Sequence, residues 1–117
     1  MSRLLWLIAA LVAGLHWYGT RGPSPGDPRT GAARGDITLL SAQWCGYCHA
    51  LRADLERMDV PFRELDVEDR GAGTAAYDAL NGRAIPILVV GQDVVRGYDP
   101  DRARELILAA GHRLAAN

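Results

Sequence analysis

The stretch Trp44-Cys45-Gly46-Tyr47-Cys48 contains the only two cysteines of this 117-residue chain. An apolar run at positions 37–40 precedes it and predicts a short buried strand. Apolar side chains recur at helical spacing after it, at positions 51, 55 and 58. The sequence therefore predicts that the cysteine pair lies where a strand passes into a helix.

That position would favour the thiolate form of Cys45, because the free N–H groups and partial positive charge of a helix N-terminus stabilise an anion. In Cys-x-x-Cys motifs the pKa of the first cysteine falls from about 8.5 to roughly 3.5–7.5. The thiolate is the nucleophile in thiol–disulfide exchange. Cys48, one helical turn later, would face inward and could attack a mixed disulfide at Cys45. The spacing predicts attack by Cys45 and release by Cys48.

Two other interpretations of the cysteine pair are weaker. A zinc site needs about four ligands, and His16, His49 and His112 lack a second paired spacing. A purely structural disulfide would gain little from closing so short a loop. We therefore expect no metal in this chain.

Length and charge indicate one small globular domain. The chain is 49% hydrophobic and carries a net charge of −1. Its 13 basic residues are all arginines, and they are dispersed along the sequence. No nucleic-acid partner is expected, since binding to nucleic acid requires a basic patch.

The amino terminus has the order of an export signal, because an apolar run from Leu4 to Leu15 follows Arg3. The run is shorter than the ~20 residues of a comfortable membrane span, and no clear cleavage site follows it. We expect residues 1–18 to form an apolar helix that acts as an uncleaved signal anchor, with Trp17 and Tyr18 at the membrane interface. A cleaved signal is the alternative.

The anchor would place the domain on the periplasmic or extracytoplasmic side, since a short apolar segment ahead of a domain usually directs export. Its protein substrates would then lie near the membrane. Arginines on both sides of the run, at positions 3, 21, 29 and 34, keep the cytoplasmic face as the alternative.

Residues 19–36 are rich in glycine, proline and charge and have no apolar periodicity, so they predict a flexible, disordered tether. The domain is expected to span residues 37–117. Alternating residues 62–67 predict a second strand, Thr74 could cap a short helix, and residues 87–90 predict an apolar strand that turns into residues 94–95. Asp99 and Pro100 would begin the last helix. This order predicts an α/β domain with a small mixed four-stranded sheet flanked by helices.

Three short elements resemble the glutaredoxins of the thioredoxin superfamily. They are Cys45-Gly46-Tyr47-Cys48, Ala84-Ile85-Pro86 before the third strand, and Gly97-Tyr98-Asp99 before the last helix. The resemblance covers residues 37–114 and rests on the order and spacing of all three. It implies a thioredoxin-like fold and a dithiol thiol–disulfide oxidoreductase with Cys45 and Cys48 as its catalytic residues.

The resemblance also implies supporting residues. Pro86 would be the cis proline that faces the cysteines and exposes the backbone of Ile85 to an extended substrate or to glutathione. The residues that would support the catalytic cysteines are Trp44, Gly46, Tyr47, Ile85 and Pro86. A glutathione site would comprise Ile85, Gly97, Tyr98 and Asp99, the last three at the segment that receives the γ-glutamyl carboxylate.

Two positions depart from the family pattern. Ala42 stands where glutaredoxins usually carry a cation that pairs with glutathione, and Leu39 stands where thioredoxins bury an acid. We therefore expect no resident cofactor and only weak use of glutathione as a co-substrate. The expected partners are protein disulfides and dithiols, bound by a monomer. The alternatives are an iron–sulfur cluster held with glutathione between two subunits, and a tethered scaffold with an idle disulfide.

Overall fold

The computed structural model describes residues 2–20 and 25–115. Its elements follow the predicted order. They are α1 (Ser2–Thr20), β1 (Ile37–Ser41), α2 (Gly46–Arg57), β2 (Arg63–Asp66), α3 (Ala72–Ala79), β3 (Ile87–Val90), β4 (Asp93–Arg96) and α4 (Pro100–Ala109).

The strands form one mixed sheet in the order β2-β1-β3-β4. β1 runs parallel to β2 and antiparallel to β3, and β3 pairs antiparallel with β4. Leu40 at the centre of the sheet lies opposite Leu65 on one side and Ile87 on the other. The predicted α/β class, with a small four-stranded sheet flanked by helices, is confirmed.

Both faces of the sheet are covered, because successive residues of a strand point to opposite faces. Leu39 belongs to the larger core cluster, which includes Leu51 and Leu55 of α2 and Ile107 of α4. Leu40 belongs to a second core cluster, whose other buried members are Ala76 of α3, Leu80, Ile87 and Val89. This packing fixes α2 against β1 and so fixes the place where the cysteines lie.

The amino-terminal helix corrects the predicted membrane anchor. Within the described residues, no helix combines the length and the apolar character that a membrane span needs. The apolar run at positions 4–15 covers about 18 Å as a helix, against about 30 Å for the hydrocarbon core. Arg3 and His16 stand at its two ends. The prediction of a single-pass anchor, and the localisation built on it, is wrong.

Part of the predicted tether contacts the domain. The side chain of Gln92 donates to the carbonyl oxygen of Arg29 at 2.7 Å, and Nε2 of His112 lies 2.7 Å from the carbonyl oxygen of Gly35. The N–H of Gly91 donates to the carbonyl oxygen of Asp36 at 2.8 Å. Residues 1, 21–24 and 116–117 and the side chains of residues 18–20, on which parts of the predicted anchor, tether and domain fall, lie outside the described part of the chain. The domain boundaries stay a prediction.

Candidate active site

Cys45 and Cys48 lie at the start of α2, directly after the loop that follows β1, as the sequence predicts. They form a disulfide with their Cα atoms 5.2 Å apart. Cys45 is the N-cap of α2, and its Sγ accepts a hydrogen bond of 3.2 Å from the N–H of Cys48. A side-chain acceptor at this position satisfies one of the free N–H groups of the first turn. After reduction, the same N–H groups would stabilise a thiolate at Cys45.

The two sulfurs differ in their surroundings. Cys45 is 6% exposed, whereas Cys48 has no exposed surface. Both pack with Ala42, and Val67 and Ile85 lie against this group. A partner from solvent can therefore reach Cys45 more readily than Cys48.

The Ile85–Pro86 peptide bond is cis. The carbonyl oxygen of Pro86 accepts a hydrogen bond of 2.9 Å from the N–H of Gly97, which places the start of the segment 97–99 beside the proline. In the described part of the chain, neither the N–H nor the C=O of Ile85 has a hydrogen-bond partner. A short edge of free backbone therefore lies beside the cysteines.

Three exposed aromatic residues belong to the predicted site. Tyr47 and Tyr98 stack with ring centroids 5.5 Å apart, and the hydroxyl of Tyr98 donates to Asp54 at 2.8 Å. That hydrogen bond is the main cause that raises the pKa of Tyr98. The indole N–H of Trp44 donates to Glu68 in the loop after β2. Each side of the cysteine pair thus has an aromatic residue fixed by a carboxylate.

The predicted glutathione residues lie together only in part. Gly97 has φ of 87°, a conformation that glycine adopts readily, and it bonds to Pro86. Asp99 is the N-cap of α4 and accepts from the N–H of Arg102 at 3.0 Å. The hydroxyl of Tyr98 reaches Asp54 on α2. Ala42, at the position where glutaredoxins usually carry a cation, is buried and carries no charge.

A polar network that no sequence pattern indicated links α2 to β1 and β2. Nε of Arg52 donates to Glu64 at 2.7 Å, and the hydroxyl of Ser41 also donates to Glu64 at 2.7 Å. The bond from Arg52 is the main cause that lowers the pKa of Glu64, and burial opposes it. Nε2 of His49 lies 2.8 Å from the carbonyl oxygen of Gln43, just before the motif. Glu64 is 12 residues from Arg52 and 23 residues from Ser41, so no local sequence pattern indicates these two contacts.

No three His, Cys, Asp or Glu side chains within residues 2–20 and 25–115 are grouped so that they could hold a metal ion together.

The glutaredoxin family model matches residues 37–95, which is about half of the chain and includes the cysteine pair and the cis proline. No curated protein matches the chain significantly.

Several solved structures are similar to the domain. The glutaredoxin-like protein NrdH-redoxin from Escherichia coli, described for a thioredoxin-like activity profile, is 25% identical, with a TM-score of 0.55 over 61% of this chain and 93% of its own. A glutaredoxin from Archaeoglobus fulgidus is 20% identical, with a TM-score of 0.54 over 68% and 90%. A buckwheat glutaredoxin–glutathione complex is 17% identical, with a TM-score of 0.57 over 74% and 88%. The last two likenesses concern the fold alone.

Proposed function

The chain belongs to the glutaredoxin family and is a thiol–disulfide oxidoreductase, and from this premise we propose that it acts as a dithiol enzyme in which Cys45 attacks and Cys48 resolves. The observation that carries the proposal is the difference between the two sulfurs. Cys45 caps α2 and reaches the surface, whereas Cys48 is enclosed. Apolar burial disfavours a charged thiolate, and a helix N-terminus favours one.

The proposed reaction has two exchange steps. The Cys45 thiolate attacks one sulfur of a substrate disulfide, the substrate S–S bond breaks, and one substrate thiolate leaves. Cys48 then attacks the Cys45 sulfur, the mixed disulfide breaks, and the second substrate thiolate leaves. Two electrons pass from the dithiol to the substrate. The proton that Cys48 loses balances the proton that a leaving thiolate gains, and the enzyme ends as the Cys45–Cys48 disulfide.

The other predicted site residues support these steps. Gly46 and Tyr47 begin α2 and set the spacing of the cysteines. Ile85 lies against the cysteines, and Pro86 follows it through the cis peptide bond. The free backbone of Ile85 can pair with an extended substrate, because unpaired N–H and C=O groups accept a polypeptide strand. Trp44 flanks this edge.

The family supports both glutathione and protein thiols as partners, and we propose that protein disulfides are preferred. Ala42 offers no cation to a glutathione carboxylate. The hydroxyl of Tyr98 donates to Asp54, and one carboxylate oxygen of Asp99 caps α4, so these side chains offer fewer open positions to a γ-glutamyl group. The 25% identity to NrdH-redoxin, described as thioredoxin-like in its activity, agrees with this preference. Glutathione would then be a weak co-substrate, and no resident cofactor is required.

The test is a trapping experiment with Cys48→Ser. The reduced variant is mixed with a symmetrical peptide disulfide, and intact mass is followed. We expect one peptide to remain attached through Cys45, because the resolving thiol is missing. The matched variant Cys45→Ser should gain no stable adduct. An adduct that forms on Cys48 in Cys45→Ser, with none on Cys48→Ser, would reverse the assigned roles.

A further inference from the structure

The loop that presents Cys45 is a turn between β1 and α2. The N–H of Cys45 donates to the carbonyl oxygen of Ala42 at 3.1 Å, and this bond closes the turn over residues 42–45. The peptide between Gln43 and Trp44 is the central unit of the turn. The bond that closes a turn does not fix this unit, since the two common turn types differ in the orientation of the central peptide. A second contact is needed to fix the segment directly before Cys45.

The side chain of His49 provides such a contact. Its Nε2 lies 2.8 Å from the carbonyl oxygen of Gln43, six residues earlier. A carbonyl oxygen can only accept, so the imidazole ring donates from Nε2, in its neutral and in its charged form. The backbone N–H of His49 also donates to the carbonyl oxygen of Cys45 at 3.2 Å. One residue therefore bonds to the carbonyl groups on both sides of Trp44.

A separate set of side chains holds the other end of the loop. Ser41, the last residue of β1, donates from its hydroxyl to Glu64 at 2.7 Å, and Nε of Arg52 donates to Glu64 at 2.7 Å. Arg52 follows His49 by three residues and Cys45 by seven, so all three lie on one face of α2. Because Arg52 and Glu64 neutralise each other, this pair anchors the loop without placing a net charge beside Cys45. The bond from His49 acts on the part of the loop nearest the sulfur.

The backbone of this loop decides where the sulfur of Cys45 lies. Cys45 is the N-cap of α2 with φ of −86° and ψ of 108°, and its Sγ accepts from the N–H of Cys48 at 3.2 Å. A side chain reaches the free N–H groups of a first turn only from such a non-helical backbone conformation. After reduction, the same position would hold a thiolate over those groups, which stabilise it. Rotation of the peptides before Cys45 would move Sγ away from them.

We propose that His49 is a positioning residue for the attack by Cys45. Its bond to the carbonyl oxygen of Gln43 fixes the turn, and the fixed turn keeps Sγ of Cys45 at the start of α2. His49 acts through the backbone of the loop and exchanges no proton with either cysteine, so the two exchange steps keep the balance described above. The inference rests on the proposed function, because it takes Cys45 as the attacking sulfur.

The test measures the thiolate of Cys45 in the full chain carrying Cys48→Ser, where Cys45 is the only thiol. The ultraviolet absorbance of the thiolate is followed as a function of pH. We expect the added substitution His49→Ala to raise the pKa of Cys45 by about half a unit to one unit, the effect of losing one neutral hydrogen bond. His49→Gln should restore the pKa to within about 0.2 unit, because its amide nitrogen can donate to the same carbonyl oxygen.

Glu56→Ala is the matched control. Glu56 lies two turns after His49 on the same face of α2, and both side chains are exposed, so we expect both variants to fold. Glu56→Ala should leave the pKa of Cys45 unchanged. A rise of the same size in Glu56→Ala and His49→Ala would overturn the proposal, because the effect would then not depend on the loop. Failure of His49→Gln to restore the pKa would also overturn it, because the hydrogen bond would not be the cause.

The rate of attack is the second readout. The same proteins react with a symmetrical peptide disulfide, so that one peptide stays attached through Cys45 and the other leaves as a thiol. Below the pKa of Cys45, His49→Ala should react about twofold to threefold more slowly, because a smaller fraction of the sulfur is ionised.

The two proposals fail in different ways. If Cys48→Ser traps the peptide but His49→Ala leaves the pKa of Cys45 within about 0.2 unit, only the role of His49 is wrong. If Cys48→Ser traps no peptide, the roles of the cysteines are refuted.

Discussion

The two sides of the cysteine pair use similar residues in opposite ways. On one side, Tyr98 stacks on Tyr47 and bonds to Asp54, so its ring and hydroxyl are both engaged. On the other side, Trp44 bonds to Glu68 and leaves a pocket open beside Ile85. We call these the closed side and the open side. An exposed aromatic residue near the cysteine pair can therefore either cover the protein's own surface, as Tyr98 does, or line a pocket that is open to a partner, as Trp44 does.

The largest expected effect concerns the helix that carries part of the open side. A Cβ atom on Gly73 would overlap the carbonyl oxygen of Asp66, so α3 can approach β2 only with glycine there. We expect Gly73→Ala to lower the free energy of unfolding by about 3 kcal/mol, since overpacking against backbone leaves little room to relax. Urea denaturation measures the change.

The matched control is Gly14→Ala in α1, where a Cβ atom would meet nothing within 4 Å. It should change the free energy of unfolding by less than about 1 kcal/mol. A similar small effect of Gly73→Ala would show that α3 can move away from β2 and that the open side is not rigid.

The next effect compares the two sides directly. With the disulfide of a protein such as insulin as substrate, Trp44→Ala should lower kcat/KM by about tenfold, because the open side loses a wall. Tyr98→Ala should lower it by less than about threefold, since the closed side does not receive the substrate. Equal losses in the two variants would erase the distinction between the sides.

A smaller effect concerns the polar network that holds α2 beneath both sides. The pKa of Glu64 is lowered mainly by its hydrogen bond with Arg52, so ionised Glu64 stabilises the folded state. This contribution is complete above the unfolded value of about 4.3 and is lost as pH falls through the lower folded value. Because the pair is partly exposed, we expect Glu64→Gln to cost about 1 kcal/mol at pH 7.

Thermal unfolding of Glu64→Gln and wild type from pH 7 to pH 3 checks this prediction. The difference in stability should shrink as the pH falls below about 4. A difference that stays constant would mean that the network acts through shape and not through charge.

The smallest expected effect concerns the closed side. Glutathione and the dipeptide Cys-Gly differ in the γ-glutamyl group, and on the closed side the hydroxyl of Tyr98 and one oxygen of Asp99 are already bonded within the protein. At equal thiolate concentration they should reduce the Cys45–Cys48 disulfide at rates that agree within about twofold. Glutathione that reacts about tenfold faster would show that Gly97, Tyr98 and Asp99 do bind it.

The sequence predicted the domain well because its signals there are local. Apolar runs and helical spacing around Leu39, Leu40 and Leu51 define buried elements, and each lies where the pattern places it. The cis proline could be inferred only through the family resemblance, since proline alone favours the trans form. At the amino terminus the pattern misled, because the apolar run from Leu4 to Leu15 reads as an anchor and yet forms no helix fit to cross a membrane.

The remainder depends on contacts between distant residues. Nothing near Trp44 in the sequence indicates its bond to Glu68, and nothing near Tyr98 indicates Asp54, since both pairs form only after the chain has folded. The distinction between the open and the closed side was therefore beyond sequence analysis, although the aromatic residues themselves were identified.

Labelling of the reduced protein with iodoacetamide as a function of pH tests the central claim most directly. Peptide mapping separates the two cysteines, and each gives its own curve of rate against pH. We expect Cys45 to be alkylated first, with a rate that reaches half of its maximum at a pH below the pKa of about 8.5 of a free cysteine, while Cys48 stays largely unlabelled. Preferential alkylation of Cys48, with Cys45 inert, would contradict the account.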